Sequence, residues 1–171
     1  MRKPLTILTI NLALVVFLSF ISQNAQPAVS KGNEIKRDGR FIAYDNGTVL
    51  DTKTNLMWAA KDSGSNVNWP DAKGYCENYR GGGYSDWRMP TQDELAGLYD
   101  ASKGYRTACG QDAHLTEMIG LTCNWVWASE TRGSKDAACF SFRGGDSYWK
   151  PQCYGNFSVS PRRALPVRNA K

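Results

Sequence analysis

The chain has 171 residues, a formal net charge of +5 and 42% hydrophobic side chains. That length suits one domain plus a targeting segment, with enough chain left to bury a core. The charge is modest for its size, which disfavours nucleic acid as a partner, and no internal repeat or low-complexity segment is present.

The N-terminus reads as an export signal. Arg2 and Lys3 precede an uncharged, mostly apolar run from Leu5 to Ile21, and polar and small residues follow to Ser30. We assign residues 1–30 to a signal peptide, 31–39 to a linker and 40–171 to the domain. An uncleaved anchor is the rival reading, although the run is short for a full span. No cysteine lies near its end, which argues against a lipoprotein anchor. The basic excess sits late in the chain: residues 31–130 hold 11 basic and 14 acidic side chains, and residues 131–171 hold 8 and 2. Such asymmetry points to an anionic partner or to a solvated basic face.

In chain order, Phe41 to Tyr44 reads as a strand, Asp45-Asn46-Gly47 as a turn, and Thr48 to Thr52 as the returning strand. Lys53 to Asn55 turns again into a third strand, Leu56 to Ala59, which carries Trp58 into the core. After a polar loop, Asn68 caps a helix from Trp69 to about Tyr79, with Pro70 in its first turn. Its Ala72, Tyr75, Cys76 and Tyr79 share one face. The stretch Gly81 to Asp100, GGGYSDWRMPTQDELAGLYD, joins a glycine turn to a second helix from Gln92 to about Tyr99. Thr91 and Glu94 have capping-box spacing, and Leu95, Leu98 and Tyr99 fall on one face. Trp87 is expected to be buried, so its neighbours Asp86 and Arg88 each need a partner. Residues 101–122 show no clear period. Strands follow at Trp125–Ser129, Ala138–Phe142 and Ser147–Trp149, with further strand or edge pieces from Cys153 to Val159, and Ala164–Arg168 closes the chain. Strands at both ends with two helices between give an α+β fold.

The segment YSDWRMPTQDEL resembles the signature of the Lcl C-terminal domain family of bacteria. The run DNGTVLDTKTNLMWA, Asp45 to Ala59, is similar to that family's opening, as is the Trp-led helix from Trp69 to Tyr79. The resemblance covers roughly residues 40–168. It implies a C-type-lectin-like fold: two helices on short antiparallel sheets, loop-rich and stapled by disulfides. It also implies a bacterial protein, placed by its export signal in the periplasm or outside the cell. Related modules bind glycans or proteins, and a few are enzymes.

The five cysteines are Cys76, Cys109, Cys123, Cys139 and Cys153. In an exported chain they read as two bridges and one thiol, and fifteen pairings are open. Sequence proximity favours Cys109–Cys123 and Cys139–Cys153, each closing a loop worth roughly 3 kcal/mol in the chain-entropy model. Many members of the resembled family pair a helix cysteine with one in the final strand. Ala164 to Arg168 offers none, so Cys76 is expected to be a buried thiol.

Catalytic and metal chemistry find little support. His114 is the single histidine, and no hydrolase, zincin or P-loop motif is present. The cysteine spacing is not that of a zinc site, and no Asp/Asn-rich calcium loop occurs. The Glu-Pro-Asn, Gln-Pro-Asp and Trp-Asn-Asp triplets of calcium-dependent lectins are absent too. The expectation is a non-enzymatic chain with no catalytic residue, metal or cofactor. The remaining signal is basic residues interleaved with aromatics: Arg132, Lys135, Arg143, Trp149, Lys150, Arg162 and Arg163. Arg clamps sulfate or carboxylate with paired hydrogen bonds, and a flat aromatic stacks on a sugar. The sequence thus leads to a recognition module for an anionic polysaccharide or an envelope protein, with no stable membrane span after cleavage. A structural subunit of an envelope or adhesion complex, and a homo-oligomer, fit the same residues.

Overall fold

The computed structural model describes residues 32–152 and 161–170. Strands β1 (Glu34–Asp38), β2 (Phe41–Tyr44), β3 (Thr48–Asp51) and β4 (Leu56–Ala59) form an antiparallel meander. The last strand, β11 (Val167–Asn169), pairs antiparallel with β4 and completes a five-stranded sheet. Strand β1 corrects the linker expected at residues 31–39. Gly39, at φ 58°, turns the chain so that Arg37 pairs with Ile42. The side chains of β1 are mostly exposed, so its composition looks like that of a linker.

Helix α1 (Trp69–Glu77) starts where the sequence places it. The Asn68 side chain accepts the Asp71 N–H at 2.8 Å, and Pro70 occupies the first turn. Helix α2 (Gln92–Leu98) opens on a complete capping box between Thr91 and Glu94. Hairpin strands β5 (Tyr105–Arg106) and β6 (Asp112–Ala113) follow within the segment that showed no period. A Cys109–Cys123 disulfide, with the Cα atoms 5.3 Å apart, ties that segment down.

The second sheet has four strands in the order β10-β7-β8-β9: β7 (Trp125–Arg132), β8 (Asp136–Ser141), β9 (Asp146–Pro151) and β10 (Arg162–Arg163). Strand β7 runs three residues beyond its expected end, through a register irregularity between Trp127 and Thr131. Strand β10 lies parallel to β7, a departure from the antiparallel arrangement expected here. The pieces expected from Cys153 to Val159 lie outside the described residues.

Alternation along β7 and β8 sends side chains to both faces of this sheet. Val126, Ala128, Ala138 and Phe140 join Leu95 and Leu98 of α2 and Phe41, Val49 and Trp58 of the first sheet in the main core. Trp127, Ala137 and Cys139 join Ala72 and Cys76 of α1, with Met89 and Ala164, in a second cluster. The β7–β8 part of this sheet is therefore buried on both faces, while β9 stays largely exposed.

The signature segment fastens these layers together. Trp87 is buried, donates its indole N–H to the Gly81 carbonyl at 3.1 Å, and meets the Tyr79 ring edge-on. A Cβ on Gly81 would lie 2.3 Å from that ring, so glycine is required there. Backbone bonds run both ways between Arg88 and Val167, joining the segment to β11. Arg88 reaches both carboxylate oxygens of Glu94, at 2.7 and 2.6 Å. Burial by itself would raise the Glu94 pKa, but the Arg88 bonds and the Thr91 N–H outweigh it and hold the group below its usual value.

A carboxylate with a lowered folded-state pKa stabilises the fold above its unfolded-state value, and the benefit is lost as pH falls. Glu94→Gln should therefore cost about 1 kcal/mol near neutral pH. Urea denaturation should show the gap between variant and wild type closing as pH falls through the carboxylate range.

Candidate functional site

The β8–β9 register decides which of the basic residues share an end of the sheet. Ala137 pairs with Lys150, Ala138 with Trp149 and Asp136 with Pro151, while Arg132 pairs with Asp136 across the β7–β8 hairpin. Arg132, Lys135, Trp149 and Lys150 thus lie at one end of the three-stranded meander, with Trp149 and Lys150 on opposite faces of β9. The Arg132 guanidinium lies 4.0 Å from the Trp149 ring centre, and the Lys150 ammonium sits 5.7 Å from that of Tyr148. Tyr148 in turn packs on Trp125, with ring centres 4.9 Å apart. Arg132 and Lys135 are exposed, and Lys150 is half-buried. Asp136 lies within this hairpin end, and Glu130 precedes Arg132 by two residues on β7, where its carboxylate accepts the Gln92 N–H. Gln152 fixes the tip by donating its backbone N–H to Lys135 and its side-chain amide to Asp136.

The other three basic residues of the sequence reading do not join this cluster. Arg143 is exposed at the turn after β8, roughly 20 Å along the strand. Arg162 and Arg163 are buried, with 4% and 7% of their surface accessible, which removes them from any basic surface. Arg162 stacks over Trp127 and Trp125, at 4.9 and 5.9 Å. Arg163 donates to the Thr122 hydroxyl at 2.5 Å and to the Asn66 side chain. It also lies 3.8 Å from the buried Asp62 carboxylate. That carboxylate accepts the Gly64 and Thr122 N–H groups at 2.8 and 2.7 Å. Arg163 is thus the cation of a satisfied polar knot beside the disulfide. Nothing in its sequence context separates it from a surface arginine.

The expected Cys139–Cys153 bridge has one end, Cys153, outside the described residues. Cys139 is a free, buried thiol, and the register sets it opposite Tyr148. Burial pushes the Cys139 thiol up, with Arg162 and Lys150 pulling the other way. Cys76 is a buried thiol on α1, pushed up to about 12 by burial. His114 packs edge-on against Tyr99, and its Nδ1 lies 2.8 Å from the Lys103 carbonyl oxygen. Among the described residues, no group of three His, Cys, Asp or Glu side chains could hold a metal ion. No described helix is long and apolar enough to cross a membrane.

The signature segment is held by a partner distant in sequence. Arg168 of β11 grips both Asp86 carboxylate oxygens, at 2.6 and 3.0 Å, and its guanidinium stacks 3.9 Å from the Tyr84 ring centre. An unpaired acid beside a buried tryptophan was the available signal, but its partner lies 82 residues away.

Among the described residues, two helices, mainly antiparallel sheets and one disulfide define a stapled α+β module. Residues 47–163 match the Lcl C-terminal domain, and the chain belongs to that family. Comparison with curated proteins finds no match.

Two outcomes check this assignment of roles. Arg163→Ala leaves Asp62 buried without its cation, so it should cost about 3–5 kcal/mol in chemical denaturation. The Cys76 thiol, raised in the folded state, favours the native state below its unfolded-state value near 9 and loses that advantage as pH climbs toward 12. Alkylation mapped by mass spectrometry should accordingly find Cys76 protected in the native chain at neutral pH and modified in urea.

Proposed function

We propose that this chain is an exported, non-catalytic recognition module that binds an anionic glycan. The observation that carries this reading is the hairpin end, where Arg132 stacks on Trp149 on one face, Lys150 lies over Tyr148 on the other, and Lys135 sits in the connecting turn. Arg132 is held flat by its ring, so a sulfate or carboxylate meets a guanidinium that has already lost much of its freedom. The module takes the C-type-lectin-like fold of the family resemblance. In support, the first four strands and the last strand share one sheet, with both helices and the second sheet between them in the chain. A non-catalytic role is supported by the two free thiols, both buried and raised away from the reactive thiolate form. Export to the periplasm or the cell exterior rests on the N-terminal signal pattern and on the disulfide.

A second reading, assembly into an envelope complex, is favoured by β1. This edge strand pairs only with β2 and exposes Ile35 at 65% of its surface.

The test is retention of the full chain on a sulfated-polysaccharide column across a salt gradient. Lys135→Ala with Lys150→Ala should elute at clearly lower salt than wild type, and Arg143→Ala should elute with wild type. Flow-through of the wild type at physiological salt would overturn the glycan reading. A defined oligomer lost on Ile35→Asp would then support assembly.

A further inference from the structure

A second concave site lies on the other sheet. Val49 and Trp58 point from β3 and β4 into the main core, so their neighbours Leu50 and Met57, which pair with each other, line the opposite face. There they floor a cleft of about 130 Å³, walled by Tyr44, Asn46, Asn55 and Tyr84. Among the described residues, no acid, lysine, arginine or histidine lines it.

Three features of this cleft point to one ligand chemistry. The Tyr84 ring is held by the Arg168 guanidinium stacked 3.9 Å from its centre, and Arg168 is itself clamped by Asp86. The ring is therefore set in place before any ligand arrives. Asn46 has its carbonyl oxygen committed, accepting the Thr48 hydroxyl at 2.7 Å. Its amide nitrogen is buried and has no hydrogen-bond partner among the described residues. A buried donor left unmet costs about 1–3 kcal/mol, and such a group calls for a partner. Finally, the wall alternates phenol rings and amides over an aliphatic floor, the mix of apolar surface and few placed polar groups that small-molecule sites use.

We infer that this cleft is a binding site for an uncharged sugar, taken one ring at a time. A sugar ring offers C–H faces to Tyr44, Tyr84, Leu50 and Met57, and hydroxyls to the Asn46 and Asn55 amides. An anion finds no cation among the lining residues, and the nearby Arg168 is already paired with Asp86. A purely apolar ligand leaves the Asn46 donor unmet. At about 130 Å³ the cleft takes one face of a single ring rather than an extended chain. This site is separate from the hairpin end of β7 and β8 and does not depend on it.

The experiment is a titration of the isotope-labelled full chain with glucose, galactose, mannose and N-acetylglucosamine, followed by NMR. At least one sugar should bind saturably in the millimolar range, shifting the resonances of Tyr44, Leu50 and Tyr84, with no loss of affinity in high salt. Asn46→Asp removes the amide donor while keeping a turn-forming side chain, and Leu50→Trp fills the cleft. Each should weaken binding by about tenfold or more, with thermal unfolding reporting whether the variant is folded. Should one variant fail to fold, the other decides. Absence of binding to all four sugars, binding unchanged in the folded variants, or shifts confined to the Arg132–Lys150 hairpin end would each overturn the inference. Salt-sensitive retention on the sulfated column reads the other site, so either can fail without the other.

Discussion

Both sheets are completed by one ten-residue stretch, residues 161–170. Strand β10 forms the edge of the four-stranded sheet, and β11, three residues on, forms the edge of the five-stranded one. Three arginines in this stretch are buried, and each is tied to a different part of the molecule. Arg162 stacks on the tryptophans of β7, Arg163 enters the knot around Asp62, and Arg168 clamps Asp86 of the signature segment. Buried cations are tolerated only where counter-charges, hydrogen bonds or ring faces meet them. Three of the eight late basic residues are thus internal wiring, and the surface share is smaller than the count suggests.

This arrangement also separates the two candidate ligand surfaces. The hairpin end with Arg132, Lys135 and Lys150 belongs to the second sheet, while the cleft under Tyr84 belongs to the outer face of the first. Their chemistries differ as much as their positions. One presents long cations that salt screens readily, and the other presents neutral rings and amides that salt scarcely touches.

Much of the scaffold was legible in the sequence because its signals are local. Asn68 with Pro70, and Thr91 with Glu94, announce their helices within four residues, and both caps are formed as read. The Asn46-Gly47 turn and the three strands around it follow from turn chemistry and apolar runs. The Cys109–Cys123 bridge followed from proximity. The candidate site was legible only in part. Arg132, Lys135, Trp149 and Lys150 are close in sequence and come to one end through hairpin pairing, but Arg162 and Arg163 look like surface residues until β10 is placed. The counter-charge of Arg163 is Asp62, a hundred residues earlier, and no local pattern reveals it. Strand β1 was missed for the opposite reason, since an edge strand with solvated side chains has linker-like composition.

Gly32 and Ala170 stand on the rim of the same cleft, so the described chain begins and ends at one place. Such closeness suits the fold to circular permutation. A short linker from Ala170 to Gly32 would join strands already in one sheet, and new ends could open at the exposed Arg143–Gly144 turn. A permuted chain would make residues 161–170 an internal segment, so that the stretch completing both sheets would no longer be the last of the described residues to be synthesised.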